Sequence, residues 1–192
     1  MTPSLILASG SPQRKRILEK LGIRFQAFPS RIDESHDGRT RVHAICKHIA
    51  FKKAQAVSES FATHWVLGVD TIVVLPSGTV CGKPESKKVA RRMLREYSGR
   101  YCDVYSGIAL VHHSSAKKMV RYEKTRLFFR SFSDEEIDAY LELDRWQGSS
   151  GAMTIEGVEG RWVKRIQGCY WNIVGLPVNS LKKMLTSRQV NQ

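Results

Sequence analysis

The chain has 192 residues, 42% of them hydrophobic and 26% charged, which is enough to bury a core without disulfide staples and excludes a disordered or collagen-like polypeptide. Its 31 Lys and Arg against 18 Asp and Glu leave a net charge of +13, which suits an anionic partner without choosing between a phosphorylated small molecule, nucleic acid and a membrane surface. Cys46, Cys81, Cys102 and Cys169 form no CxxC pair, so neither a zinc site nor a disulfide framework is indicated, and buried, reduced thiols are expected. There is no leader-like segment and no uncharged apolar window of about 18 residues, so a cytoplasmic protein is expected, with no membrane partner.

Strand-like and helix-like segments alternate, which argues for α/β or α+β architecture. Leu5 to Ala8 reads as a short buried strand. Ser11 follows as N-cap with Pro12 at the first helical position, and Ile17, Leu18 and Leu21 recur at helical spacing until Gly22 closes the helix. Arg39 and Thr40 begin a second helix, with Val42, Ile45, Ile49, Ala56 and Val57 as its apolar stripe and Lys53 in the middle of that stripe. Residues 66–75, VLGVDTIVVL, read as a buried strand in which Asp70 is the lone charge, and a turn at Pro76-Ser77-Gly78 leads to a short strand near Val80.

Beyond Lys83-Pro84 comes a helix whose core face is Val89, Ala90, Met93, Leu94 and Tyr97, with Lys87, Lys88, Arg91, Arg92 and Arg95 elsewhere around it. Strands are expected at about 101–112 and 122–132. Ser133 and Glu136 then make a capping box for a helix carrying Ile137, Tyr140 and Leu141. Residues 148–160 are glycine-rich and loop-like. A strand at 161–167, the turn Gln167-Gly168, the stretch YWNIVGLP and a C-terminal helix end the chain.

Two features of this pattern carry chemistry. The first helix presents free amide donors and a positive dipole end, so a phosphate there could accept bonds from the backbone, from the Ser9 and Ser11 hydroxyls and from Arg14. An ordinary capped helix with a surface arginine accounts for the same residues. A carboxylate in a β-branched run, as Asp70 is, costs several kcal/mol unless it is paired, metal-bound or at an exposed strand end. A buried ion pair with Lys53 and a catalytic site are equally good readings, and two misfit charges in separate elements point to one shared site. Asp33, Glu34 and Asp37 lie in a loop where oxygen ligands could hold a hard divalent cation.

The ordered blocks LILASGSPQR, LGIRFQAFPSRIDES, KKA (Lys52–Ala54), GVDTIVV, CGKP, REYSGRYCDVYSGIAL, TIEG and GCYWNIVGLP resemble, over nearly the whole chain, the Maf family of nucleoside triphosphate pyrophosphatases, also called septum-formation-inhibitor-like proteins. The resemblance implies a mixed α/β fold, a sheet flanked by helices, forming one domain over residues 1–192 with two lobes around a cleft, akin to the inosine-triphosphate pyrophosphatase architecture. It implies cleavage of a nucleoside triphosphate, modified and pyrimidine nucleotides among them, to monophosphate and pyrophosphate with Mg2+ or Mn2+. A homodimer and a link to cell-division arrest also follow from the family association. Residue by residue, it implies Asp70 as general base or metal-bound water activator, Glu34 with Asp70 as metal ligands, and Ser9, Ser11, Arg14, Lys53 and Lys83 as phosphate contacts. Where the pyrimidine-directed branch resembles SPRR, DT and IQG, this chain has Gln13, Thr71 and Glu156, of which Thr71 alone agrees; Ser149 stands where the family often has lysine. Two rival expectations remain: a basic nucleic-acid-binding module, which lacks a helix-turn-helix, zinc-finger or RNA-recognition signature, and a nucleotide-binding relative that no longer hydrolyses, against which retention of Arg14, Lys53, Asp70 and Lys83 counts.

Overall fold

The computed structural model describes residues 5–35, 40–156 and 158–190. Its elements are β1 (Leu5–Leu7), α1 (Pro12–Lys20), β2 (Phe25–Ala27), α2 (Val42–Ser58), β3 (Trp65–Val74), β4 (Val80–Cys81), α3 (Lys87–Tyr97), β5 (Tyr101–His112), β6 (Lys117–Phe129), α4 (Asp134–Leu141), β7 (Val163–Gln167), α5 (Tyr170–Val174) and α6 (Val178–Val190). The strands form one mixed sheet in the order β2-β1-β3-β5-β6-β7, with β4 paired to β3. β1 is parallel to both β2 and β3, whereas the β3–β4 and β6–β7 pairs are antiparallel. This is the mixed α/β class that the alternation of segments predicts.

The chain divides into two compact units: Met1–Thr71 with Ser106–Glu123 and Gly175–Gln192, and Ile72–Tyr105 with Lys124–Val174. In the first, α1 begins as expected, with Pro12 in the first turn and the Ser11 hydroxyl accepting from the Arg14 amide. It ends with the Ile23 amide bonded to Leu18 O and the Gly22 amide to Glu19 O, a Schellman closure in which Gly22 takes φ +66°. Helix α2 starts at Val42, later than expected; its N-cap, Arg41, makes no side-chain capping bond. Arg39 lies outside the described residues. The buried face of α2 runs through Ala50, Ala54 and Val57, and Ala56 is exposed, because the helix meets the sheet along the 50/54/57 line.

That interface is built from small residues. Ala50, Ala54 and Val57 pack with Ile6, Ala8, Val66, Ala109 and Val111. Gly68 of β3 and Gly107 of β5 let the helix backbone sit directly on the strands: a Cβ at Gly68 would stand 2.1 Å from Ala50 O, and one at Gly107 2.0 Å from Cys46 O. A glycine inside a strand marks this kind of close backbone approach. Because side chains alternate along a strand, Val66, Gly68 and Asp70 share the face that α2 covers.

In the second unit, α3 and α4 pack over a core that includes Leu94, Tyr97, Leu127, Phe129, Ile137, Leu141 and Trp162, with Phe132 stacked on Trp162 at 4.4 Å between centroids. Across the two helices three ion pairs form a ladder at four-residue steps: Lys87 with Glu142, Arg91 with Asp138 and Arg95 with Asp134. The capping box of α4 is present, and Arg130 adds a two-pronged bond to Glu136. The segment expected to be a loop at 148–160 contains short 3-10 turns at Ser150–Ala152 and Val158–Trp162. Buried hydroxyls fix the first: Tyr97 donates to Gly151 O and Tyr140 to Ala152 O. All four cysteines are free and buried.

Gly68→Ala is expected to lower stability by about 1–3 kcal/mol, the usual range for overpacking, because α2 must lift from β3. Gly82→Ala, where an added Cβ meets nothing within 4 Å, serves as control and should leave the urea midpoint unchanged. The Glu136 carboxylate, held at about 2 chiefly by its bond from Arg130, stabilises the fold above its ordinary pKa of 4.5 and loses that contribution as pH falls through about 2. An NMR titration in which Glu136 titrates at its ordinary value would contradict this.

Candidate active site

Within the first unit, the end of β1, the first turn of α1, the loop at 31–35, the middle of α2 and residues 70–71 of β3 bring most of the expected site residues together. Lys53 is the centre. Its side chain is 7% exposed, and its Nζ donates to Glu34 Oε2 at 2.7 Å and to Asp70 Oδ1 at 2.9 Å. The Asp70 side chain is 9% exposed, so the lone charge of β3 is buried and paired as one of the two readings predicted. Glu34 is 53% exposed and comes from irregular chain. Its neighbour Asp33 is instead turned into a local loop by bonds from the Ser35 amide and hydroxyl, and these lower its pKa. The loop acid that reaches Lys53 is therefore Glu34, while Asp37 lies outside the described residues.

Arg14 joins the same unit from the first turn of α1. Its Nη1 donates to Ser9 Oγ at 2.9 Å, its Nε to Gly175 O at 2.9 Å and its Nη2 more weakly to Thr71 Oγ1 at 3.4 Å. Burial draws the guanidinium pKa down, opposed by the Asp70 and Glu34 carboxylates. Ser9 is buried and accepts both from Arg14 and from the Ser11 amide, so these bonds use its lone pairs and not its proton. Ser11 caps the helix and donates to Gln13 Oε1 at 3.1 Å. That bond turns the Gln13 amide back toward its own helix turn.

Two residues in this network have no counterpart in the sequence reading. Ser106, fully buried on β5, shares a 2.9 Å hydroxyl bond with Thr71, and the Gly175 carbonyl receives Arg14. Only tertiary placement unites them, since they lie 35 and 161 positions from their partners. Gly175 is placed by the start of α6, whose Ser180 amide and hydroxyl are capped by Glu123 of β6.

Lys83 and Glu156 belong to the second unit, where both are exposed. Ser149 precedes the 3-10 turn at 150–152. Asn172 of α5 is buried and donates to Val104 O and Thr125 Oγ1, tying the GCYWN segment to β5 and β6. Sequence reasoning missed this clamp, although an asparagine inside an apolar run is a signal for one. Among the cations of α3, Lys87, Arg91 and Arg95 are paired with Glu142, Asp138 and Asp134 at α4, which leaves less of this basic helix for the nucleic-acid partner considered above.

The donor set suits a small hard cation. Glu34 and Asp70 converge on one point, each with a second carboxylate oxygen outside its bond to Lys53. No cluster of three or more His, Cys, Asp or Glu able to hold a metal is present among the described residues. Mg2+ and Mn2+ are commonly bound by one or two carboxylates, with water and substrate phosphates completing the shell.

The family model described as Maf-like protein matches residues 4–188, and the chain belongs to that family. Among curated relatives, a dTTP/UTP pyrophosphatase of Pelotomaculum thermopropionicum is 38% identical over 181 residues, covering 94% of each chain. Proteins of the same name from Bacillus anthracis and Caldicellulosiruptor bescii are also 38% identical, over 94% of this chain and 93% and 92% of theirs. A solved HAM1 protein from Coxiella burnetii aligns with a TM-score of 0.47 at 15% identity, over 67% of this chain and 73% of that one. No helix among the described residues is long and apolar enough to cross a membrane.

Burial, with the Asp70 carboxylate as a lesser cause, pushes the Cys46 thiol up to about 12. Since the folded value lies above the unfolded one, this thiol's contribution is complete below its ordinary pKa and declines as pH rises toward about 12. The folded protein is therefore expected to leave Cys46 unmodified by a thiol reagent near pH ~8, with full labelling in urea. Rapid labelling of Cys46 without urea would contradict its burial.

Proposed function

We propose that the protein hydrolyses nucleoside triphosphates between the α and β phosphates, releasing a monophosphate and pyrophosphate, in the cytoplasm and as a homodimer. The observation that carries the reading is the buried Lys53–Asp70 pair, joined by the half-exposed Glu34, in the same unit as the Ser9/Arg14 turn at the amino end of α1. A triphosphate needs clustered donors and an attacking water needs a carboxylate; the named residues offer both.

Bonds among the described residues account for three of the five N–H donors of Arg14 and two of the three on Lys53, and the Ser9 proton is not used in them. These remaining donors, with the Gln13 amide in the first turn of α1, are assigned to phosphate oxygens; Pro12 has no amide proton, and the Arg14 and Lys15 amides are bonded to Ser11. Ser11 acts there as the cap that holds the turn in place. Asp70 is assigned to orient the attacking water and take its proton through a carboxylate oxygen. As the water oxygen bonds to the α-phosphorus, the bridging bond to the β-phosphate breaks and pyrophosphate departs with that electron pair.

The charges of Arg14 and Lys53 are balanced by those of Glu34 and Asp70, so a polyphosphate arriving alone would meet little net attraction at this cluster. This supports a divalent cation, Mg2+ or Mn2+, held by Glu34 and Asp70. When bound, it would supply Lewis-acid charge to the phosphates. Lys83 enters the proposal through its family motif alone, as a further phosphate contact. For the base, the pyrimidine triphosphates named for the relatives are the first substrates to test, with Thr71 in agreement and the Gln13 amide and Glu156 carboxylate as the positions where selectivity departs.

The test is a turnover screen over standard and modified nucleoside triphosphates with Mg2+ or Mn2+, reading products. Asp70→Asn should reduce pyrophosphate release by roughly 10²–10⁴-fold, the range for a lost general base, with the urea midpoint measured alongside. Stepwise release of orthophosphate would contradict the reaction. Arg14→Ala should lower kcat/KM by roughly 10–100-fold through loss of a charge-assisted contact; an unchanged value removes Arg14 from the site.

A further inference from the structure

We infer that Lys53 is the internal counter-cation of the divalent-metal site: its ammonium holds the point on which Glu34 and Asp70 converge, yields that point when a divalent cation enters, and so couples metal loading to phosphate binding. This deepens the proposed function and rests on it.

The geometry is specific. One nitrogen lies 2.7 Å from Glu34 Oε2 and 2.9 Å from Asp70 Oδ1, so a cation held by both carboxylates where they converge would compete with Lys53 for the same space. Lys53 is 5% exposed on an α2 backbone seated tightly on β3, so its ammonium cannot retreat into bulk water without leaving the cluster. Glu34, half-exposed on irregular chain, is drawn inward by the same ammonium.

Charge favours exchange over addition. Two carboxylates face one ammonium at this point, with Arg14 supplying the balancing charge from the first turn of α1, and a divalent ion added beside Lys53 would leave an excess of positive charge there. Displacement matches the divalent ion to the two carboxylates and frees an ammonium that needs an anion. A polyphosphate supplies that anion. Metal and phosphate should therefore each raise the other's affinity, as linkage requires.

The experiment is titration of Mn2+ into chelator-treated full-length protein, read by the paramagnetic resonance signal of free Mn2+, with and without an α,β-methylene analogue of a pyrimidine triphosphate. Wild type should bind Mn2+ at least roughly tenfold more tightly with the analogue than without it. Lys53→Met should bind Mn2+ alone at least roughly tenfold more tightly than wild type and lose most of the gain from the analogue. Lys53→Gln, which keeps a donor without the charge, should behave the same way and guards against misfolding of the first variant. Equal or weaker Mn2+ binding by a folded Lys53→Gln protein overturns the inference; if Glu34→Gln and Asp70→Asn still abolish wild-type Mn2+ binding, the proposed function stands. Mn2+ binding indifferent to both carboxylates overturns the metal assignment and this inference together.

Discussion

The site depends on a buried lysine that needs two carboxylates. An ammonium at 7% side-chain exposure is unfavourable unless it is paired and hydrogen-bonded, and Lys53 meets this condition through Asp70 of β3 and Glu34 of the 31–35 loop. Three otherwise separate pieces of chain are thereby tied to one nitrogen. Removing Lys53 leaves two carboxylates converging on one point without their shared counter-cation, so geometry and charge balance are coupled.

What lets Lys53 reach Asp70 is the thin interface beneath α2. Helix–sheet packing with large side chains would hold the two backbones apart; here Ala50 and Ala54 meet Gly68, and the backbone at Cys46 meets Gly107. Asp70 is two residues from Gly68 on the same strand face, so the contact that removes side-chain volume also delivers the carboxylate under the helix. The Arg14 end is held by different means, a chain of hydrogen bonds through Ser9, Thr71, Ser106 and Gly175, in which weak members gain from being buried together.

The second unit puts the +13 charge in perspective. Read along the chain, Lys87 to Arg95 is a cationic helix that would suit an anionic partner. Folded, its cations at four-residue steps face the acids of α4, and the antiparallel ladder Lys87–Glu142, Arg91–Asp138, Arg95–Asp134 takes up most of that face. Exposed pairs of this kind contribute little stability each. They do fix the register of two helices over the aromatic core.

Much of this was legible in the chain itself. The N-cap and Pro12 of α1, the Gly22 closure, the capping box at Ser133 and the long apolar run of β3 rest on local rules, in which each residue's preference is settled by near neighbours. Asp70 and Lys53 were visible as charges in apolar company, because burial of an unpaired charge is unfavourable in any fold. The three-residue strand β2 and the early start of β6 at Lys117 were not legible, since strand pairing supplies their stability and their side-chain pattern carries little signal. Residue types alone determined that a buried acid and a buried base had to find partners. Tertiary structure decided that they find each other with Glu34 as the third member, and that Ser106 and Gly175 hold Arg14, because bonds spanning up to 161 positions depend on where the sheet and helices bring the chain together.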